Sequence, residues 1–218
     1  MSGVDISAGR RVTGVRRSRR DPALVVVMLD GAKAGEVEAA EANRLGVARG
    51  AILDAHMAQA LLAAIASCAA RRDALRLVRV RPRTRSELAA RLLDRGHDAT
   101  VAAAVADRLT EAGAIDERAL AETAAIGMAE RKVSRRMARD RLVQRGIDER
   151  HADLAVQRAF GDGDDRQRAV EAARRRADSM RGLEPAAAHR RLAAYLARRG
   201  YDEETCLEVV RVVLGRGE

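Results

Sequence analysis

"RLLDRGHD" at residues 91–98, "RLVQRGID" at 141–148 and "YLARRGYD" at 195–202 are one eight-residue phrase written three times. Its glycines, Gly96, Gly146 and Gly200, fall 50 and then 54 residues apart, an interval that signals a repeated supersecondary unit rather than a single active site. Four residues before each glycine stands a leucine (Leu92, Leu142, Leu196), and four earlier Leu88, Ala138 and Leu192 share the same helical face. The glycine suits the position just past a helix end, where the backbone turns left-handed. An aspartate follows two residues on (Asp98, Asp148, Asp202) and is the right type to cap a second helix. That helix is marked by Val105 and Leu109, Val156 and Phe160, and Val210 and Leu214.

Upstream of each phrase lies a further helical segment, at roughly 73–80, 116–132 and 165–180, so the unit is three helices and it occurs three times. "TRSE" at 84–87 has the form of a capping box, and Pro185 suits the first turn of the matching helix in the last copy. The polar stretches "FGDGDD" (160–165) and "RGLEP" (181–185) read as hinges between elements. "DGDD" lacks the glycine placement and closing glutamate of a calcium loop and is taken as a linker.

The first 53 residues follow another pattern. "VTGVRR" (12–17) alternates, "ALVVVML" (23–29) is a β-branched run, and Asp30-Gly31 is a tight hairpin signal before "AKAGEV". A small antiparallel sheet with a short helix near 38–45 is expected. From Asp54 onward the period is helical, with Met57, Leu61, Leu62 and Ile65 placed on one buried face. The predicted fold is mainly α: three tandem, elongated three-helix repeats after a small N-terminal antiparallel sheet. Its predicted parts are 1–53 (β-rich), 54–112 (first repeat with a leading helix), 113–162 (second) and 163–218 (third).

Hydrophobic residues make up 47% of the chain, enough for a packed core, yet Phe160, Tyr195 and Tyr201 are its only aromatics. The core must therefore be aliphatic, and the abundance of alanine and leucine favours helix. The formal charge of +9 suits a polyanionic partner. All 41 basic residues except Lys33 and Lys132 are arginine, a bias that makes part of this charge background composition. Cys68 and Cys206 belong to no metal-binding spacing and read as reduced packing residues. The apolar run after "RRSRR" (16–20) stops at Asp30, too short for an export signal or a membrane span, so a cytoplasmic protein is expected.

Catalysis finds no support in the motifs. His56, His97, His151 and His189 are scattered, and no nucleophile context, Walker loop or dinucleotide fingerprint occurs. No cofactor and no metal are expected. His97 occupies the place of Ile147 and Tyr201 and is expected to pack as they do.

Arginine recurs in register with the repeat. Arg91 and Arg95, then Arg141 and Arg145, are spaced to share one side of a helix, and Arg199 keeps the second place in the last copy. Arg135, Arg136 and Arg139 thicken the middle copy, and Arg190, Arg191 and Arg198 the last. Guanidinium groups clamp carboxylates or phosphates, whereas the plain alternative is a solvated face. Recurrence with the structural unit favours binding.

"RTRSELAARLLDRG", "GAIDERALAE" and "RRLAAYLARRGYDEETCLEVVRVVL", set behind a β-hairpin, resemble the RecX family, bacterial regulators of the RecA recombinase. The likeness runs from about Val12 to Leu214. Where the family usually shows "LDDE" and aromatics, this chain has "IDER" at 115–118 with Leu120, Thr123 and Ala124 beyond. The resemblance implies a non-enzymatic modulator lying in the groove of a RecA filament on DNA, bridging neighbouring subunits and restraining ATP hydrolysis and strand exchange. Three readings stay open: a RecA filament modulator with DNA a secondary partner, a direct DNA-binding protein with helix-turn-helix-like repeats, and a scaffold without nucleic acid. A monomer without membrane contact is expected in each.

Overall fold

The computed structural model describes residues 4–215. They divide into two compact units with the boundary between Ile115 and Asp116.

The first unit opens with three strands, β1 (Val12–Arg17), β2 (Leu24–Leu29) and β3 (Ala32–Glu38), paired as an antiparallel meander in the order β1-β2-β3. Asp30 and Gly31 both take positive φ, 47° and 84°, the backbone a two-residue hairpin needs. Alternation turns Val25, Val27 and Leu29 inward, onto Val12 and Val37. Helix α1 (Ala39–Arg44) follows at once, as the sequence predicts.

Helix α2 (Ala55–Val80) is longer than expected. The anticipated leading helix and the segment at 73–80 are one continuous element of 26 residues, because nothing between the Asp54 N-cap and Pro82 breaks the helix. Its first half buries Ala58 and Leu61 against the sheet, and its second half buries Ala70, Ala74 and Leu77 against α3 (Arg85–Leu93) and α4 (Ala99–Glu111). Leu62, expected on the buried face, is 53% exposed. The inward face combines Leu61 and Leu77 with the small residues Ala58, Cys68, Ala70 and Ala74, Met57 and Ile65 are partly buried beside it, and Leu62 lies outside that arc.

The second unit holds the other two repeats. They are α5 (Glu117–Glu130), α6 (Arg135–Gln144) and α7 (Glu149–Phe160), then α8 (Asp165–Ala177), a short 3-10 turn at Asp178–Met180, α9 (Pro185–Ala197) and α10 (Glu203–Leu214). The repeated phrase performs the same task each time. Leu88, Leu92, Ala138, Leu142, Leu192 and Leu196 are fully buried. Gly96, Gly146 and Gly200 have φ of 84°, 83° and 88°, and the aspartates two residues later cap α4, α7 and α10 through backbone N–H groups. Thr84 and Glu87 form the predicted capping box, and Pro185 begins α9.

One local reading is revised, and one expected linker gains contacts. His97 does not pack as an apolar substitute: its Nε2 lies 3.1 Å from Asp73 Oδ2 on α2, a polar tie between the first and second helices of the repeat. The 160–165 stretch is held down, with Arg135 Nη2 donating to the carbonyls of Gly161 and Gly163 and the Arg135 backbone N–H donating to Asp165 Oδ2 at 3.0 Å. Cys68 and Cys206 are buried free thiols whose pKa values burial pushes up, which keeps them protonated as packing groups.

Candidate functional site

Each unit gathers arginines at the junction between the first and second helices of a repeat. In the first unit Arg81 ends α2, Arg91 lies on α3, and Arg95 follows α3 by two residues. Between them sits Arg83, only 8% exposed. Its Nε donates to the Leu77 carbonyl at 3.4 Å, while its buried Nη1 has no hydrogen-bond partner among the described residues. Burial lowers the Arg83 pKa first, and the positive charges of Arg81, Arg91 and Arg95 lower it further against the pull of Glu87. Arg91 also reaches Asp94, at 3.0 Å.

The same three positions recur 50 residues on, as Arg131, Arg141 and Arg145. Here they line a pocket of ≈ 400 Å³ in the second unit, joined by Arg198 and Arg199 from the end of α9. The floor is apolar: Met128, Val133 and Leu142 are buried, Val133 standing where the first repeat has Arg83. No acidic residue is among those that line it.

The turn after α9 is fixed against the α5–α6 turn by a set of hydrogen bonds. Ser134 N donates to the Arg199 carbonyl at 2.9 Å, Ser134 Oγ to the Gly200 carbonyl at 2.8 Å, and the Tyr201 hydroxyl to the Lys132 carbonyl at 2.9 Å. Arg199 Nε donates to the Arg131 carbonyl at 3.2 Å while its guanidinium lies 3.9 Å from the centroid of the Tyr195 ring. Cation and ring attract in that geometry, so the head group is held over the aromatic face. The Arg131 Nε donates to Gly127 O at 2.8 Å. The backbone bearing these cations is thus tied into the fold by its own hydrogen bonds.

The remaining sequence candidates are differently employed. Arg139 forks between Asp153 (2.6 Å) and Glu149 (2.7 Å), which raises its pKa, and Arg135 secures the 160–165 segment. Arg136 extends towards the Gly200 carbonyl at 3.5 Å. Arg190 and Arg191 are exposed on α9. The structure therefore brings Arg141, Arg145, Arg198 and Arg199 together, and Arg91 with Arg95, while Arg135 and Arg139 make contacts within the fold. Arg81, Arg83 and Arg131 escaped the sequence reading, although the 50-residue offset that relates Arg91 to Arg141 also relates Arg81 to Arg131.

A larger cavity of ≈ 560 Å³ in the first unit lies between β3, α2 and α4. Its rim is largely self-neutralised, with Glu41 bonded to Arg44 at 2.8 Å and Glu38 to Arg71 at 3.0 Å. Among the described residues no group of His, Cys, Asp and Glu is arranged to hold a metal ion, and no helix is long and apolar enough to cross a membrane.

Comparison with known proteins places this architecture. The family model described as the first three-helix domain of RecX matches residues 70–109, and that of its third three-helix domain matches residues 164–210. The regulatory protein RecX of Mycobacterium sp. (strain KMS) is 38% identical over 149 residues, covering 64% of this chain and 79% of that protein. The chain belongs to the RecX family. The regulatory protein RecX of Chlorobaculum tepidum, at 33% identity over 143 residues, covers 65% of this chain and 86% of its own length. A crystal structure of regulatory protein RecX superposes with a TM-score of 0.70 at 18% identity, covering 94% of this chain and 98% of the other. RecX from Lactobacillus salivarius gives 0.52 at 15% identity, covering 68% and 96%. At those identities the solved RecX structures speak for the fold. Membership in a family of proteins named for regulation gives this RecX chain a regulatory role.

Proposed function

We propose that this RecX chain restrains the RecA recombinase by lying in the helical groove of RecA–DNA filaments, where it limits ATP hydrolysis and strand exchange without chemistry of its own. The observation that carries the reading, beside family membership, is the cationic triad that recurs at the same place in successive repeats. A filament presents the same surface at a fixed interval, and a chain of repeated modules meets such a surface with repeated contacts. The modules are 54–112, 113–162 and 163–218, preceded by the sheet of 1–53. Arg91, Arg95, Arg141, Arg145, Arg198 and Arg199 meet acidic groups of the filament, with Arg190 and Arg191 beside them. DNA is a secondary partner. The protein acts in the cytoplasm as a monomer.

Direct DNA binding is the competing reading. Single strands are gripped by stacking bases on open aromatic faces, whereas Tyr201 is buried and Tyr195 is covered by Arg199. The test adds the full chain to RecA on single-stranded DNA and follows ATP turnover, beside a binding assay on the same DNA alone. Slowed turnover at concentrations that leave bare DNA unbound is the expected result. Tight, steeply salt-dependent binding to bare DNA with unchanged turnover overturns it.

A further inference from the structure

We infer that the pocket formed by Arg131, Arg141, Arg145, Arg198 and Arg199 is a docking site for a short acidic protein segment that carries one aliphatic anchor residue among its carboxylates. The inference deepens the proposed function by naming the chemistry that one site recognises, and it rests on that reading only for the identity of the partner.

Three observations select this occupant. The first is charge: five guanidinium-bearing residues line the pocket and no acidic residue lines it with them. Among the described residues the Arg141 and Arg198 side chains have neither a hydrogen-bond nor an ion-pair partner, so their donors are directed to solvent. Guanidinium forks match carboxylates in a bidentate way. The second is the apolar floor, where Met128 and Val133 keep a little exposed surface beside Ala124, with Leu142 buried; an aliphatic side chain covers that surface and a phosphodiester chain has no group to match it. The third is the absence of a stacking surface: the lining contains no aromatic residue, and the neighbouring Tyr195 ring is covered by Arg199. A nucleic acid would find charge here and nothing for its bases.

The first repeat supplies a contrast within the same chain. Its equivalent position to Val133 is Arg83, whose buried guanidinium replaces the apolar floor. The apolar anchor is therefore specific to the second unit.

The test measures fluorescence anisotropy of a labelled synthetic peptide, aspartates and glutamates around one leucine, titrated with the full chain. Comparison ligands are the same peptide with the acids changed to amides, the same with leucine changed to alanine, and a thymidine oligonucleotide of equal charge. The acidic leucine peptide binds best. Removing either feature weakens it about tenfold or more, and the double variant Arg141→Glu with Arg198→Glu does the same. Arg150→Glu with Arg174→Glu, exposed and outside the pocket, changes the charge equally and leaves peptide binding unaltered. Equal binding of the amide peptide, preference for the oligonucleotide, or indifference to the Arg141 and Arg198 changes overturns the inference. Circular dichroism of the double variant confirms that its helices are intact. Wild-type chain that slows RecA but ignores the peptide sinks the inference alone, and chain that binds the peptide but leaves RecA untouched sinks the proposed function alone.

Discussion

Replacing Gly200 by alanine tests how the α9 turn is seated. All three repeat glycines share a left-handed backbone, but the space around them differs. A Cβ on Gly96 meets nothing within 4 Å, and the same is true of Gly182, which also has positive φ. On Gly200 the new atom falls 2.4 Å from Met137 Cβ and 2.7 Å from Ser134 Oγ. At Gly96 and Gly182 the change brings left-handed strain of about 1–2 kcal/mol, partly offset by lower entropy of the unfolded chain, for a net loss of about 1 kcal/mol. At Gly200 overpacking adds about 1–3 kcal/mol, so the total loss is about 3 kcal/mol. Tyr195 and Tyr201 are the only tyrosines and the chain has no tryptophan, so tyrosine emission during urea unfolding reports on the second unit alone. With a slope of about 1.5 kcal/mol per molar urea, Gly200→Ala lowers the midpoint by about 2 M and Gly182→Ala by about 0.7 M. Trimming Met137 to alanine does not rescue the first variant, because the closest obstructing atom is its Cβ. Equal midpoints for Gly200→Ala and Gly182→Ala, or recovery on adding Met137→Ala, would refute the close seating of the turn.

Three further outcomes follow from the packing and the charges. Leu61→Ala destabilises the first unit by about 2–5 kcal/mol, whereas the adjacent Leu62→Ala, at an exposed site, changes stability by about 0.5 kcal/mol or less, as read by circular dichroism melts. Burial raises the Tyr201 pKa above its ordinary 10.0, so its contribution is complete below that value and is lost as pH climbs past it; Tyr201→Phe flattens the alkaline limb of the stability curve. The hydrogen bond from Lys132, 2.6 Å away, holds the Glu171 carboxyl below its ordinary 4.5, so its contribution is present above 4.5 and fades as pH falls through the lower folded value. Glu171→Gln accordingly removes part of the acid-side loss, measured as the change in urea midpoint between neutral and acidic buffer.

The repeat was legible because each of its signals is local. A leucine stripe, a glycine and a capping aspartate all lie within about a dozen residues, and each acts through its own helix end. The hairpin was legible for the same reason. The inward face of α2 was not, since Ala58, Ala70 and Ala74 carry much of it and alanine is as common on the surface of this chain as inside. The pocket required contacts across distance in sequence. Ser134 meets Gly200 over 66 residues, and nothing near either residue announces the pairing. His97 and Asp73, 24 apart, are a smaller case of the same kind. The one missed signal that was available is the register of Arg81 with Arg131, which a strict alignment of the repeats exposes.

Helix α2 works as a beam mortised into two floors. Its 26 residues extend about 39 Å, with one end roofing the sheet and the other completing the first helical module. A cut at residue 54 does not yield a tidy sheet and a tidy module, because the amputated half leaves Ala58 and Leu61 wetted with no covering. The same beam makes any tug on the strands a torque on α3 and α4, so mechanical load entering at the amino end travels into the first module undamped by a loop.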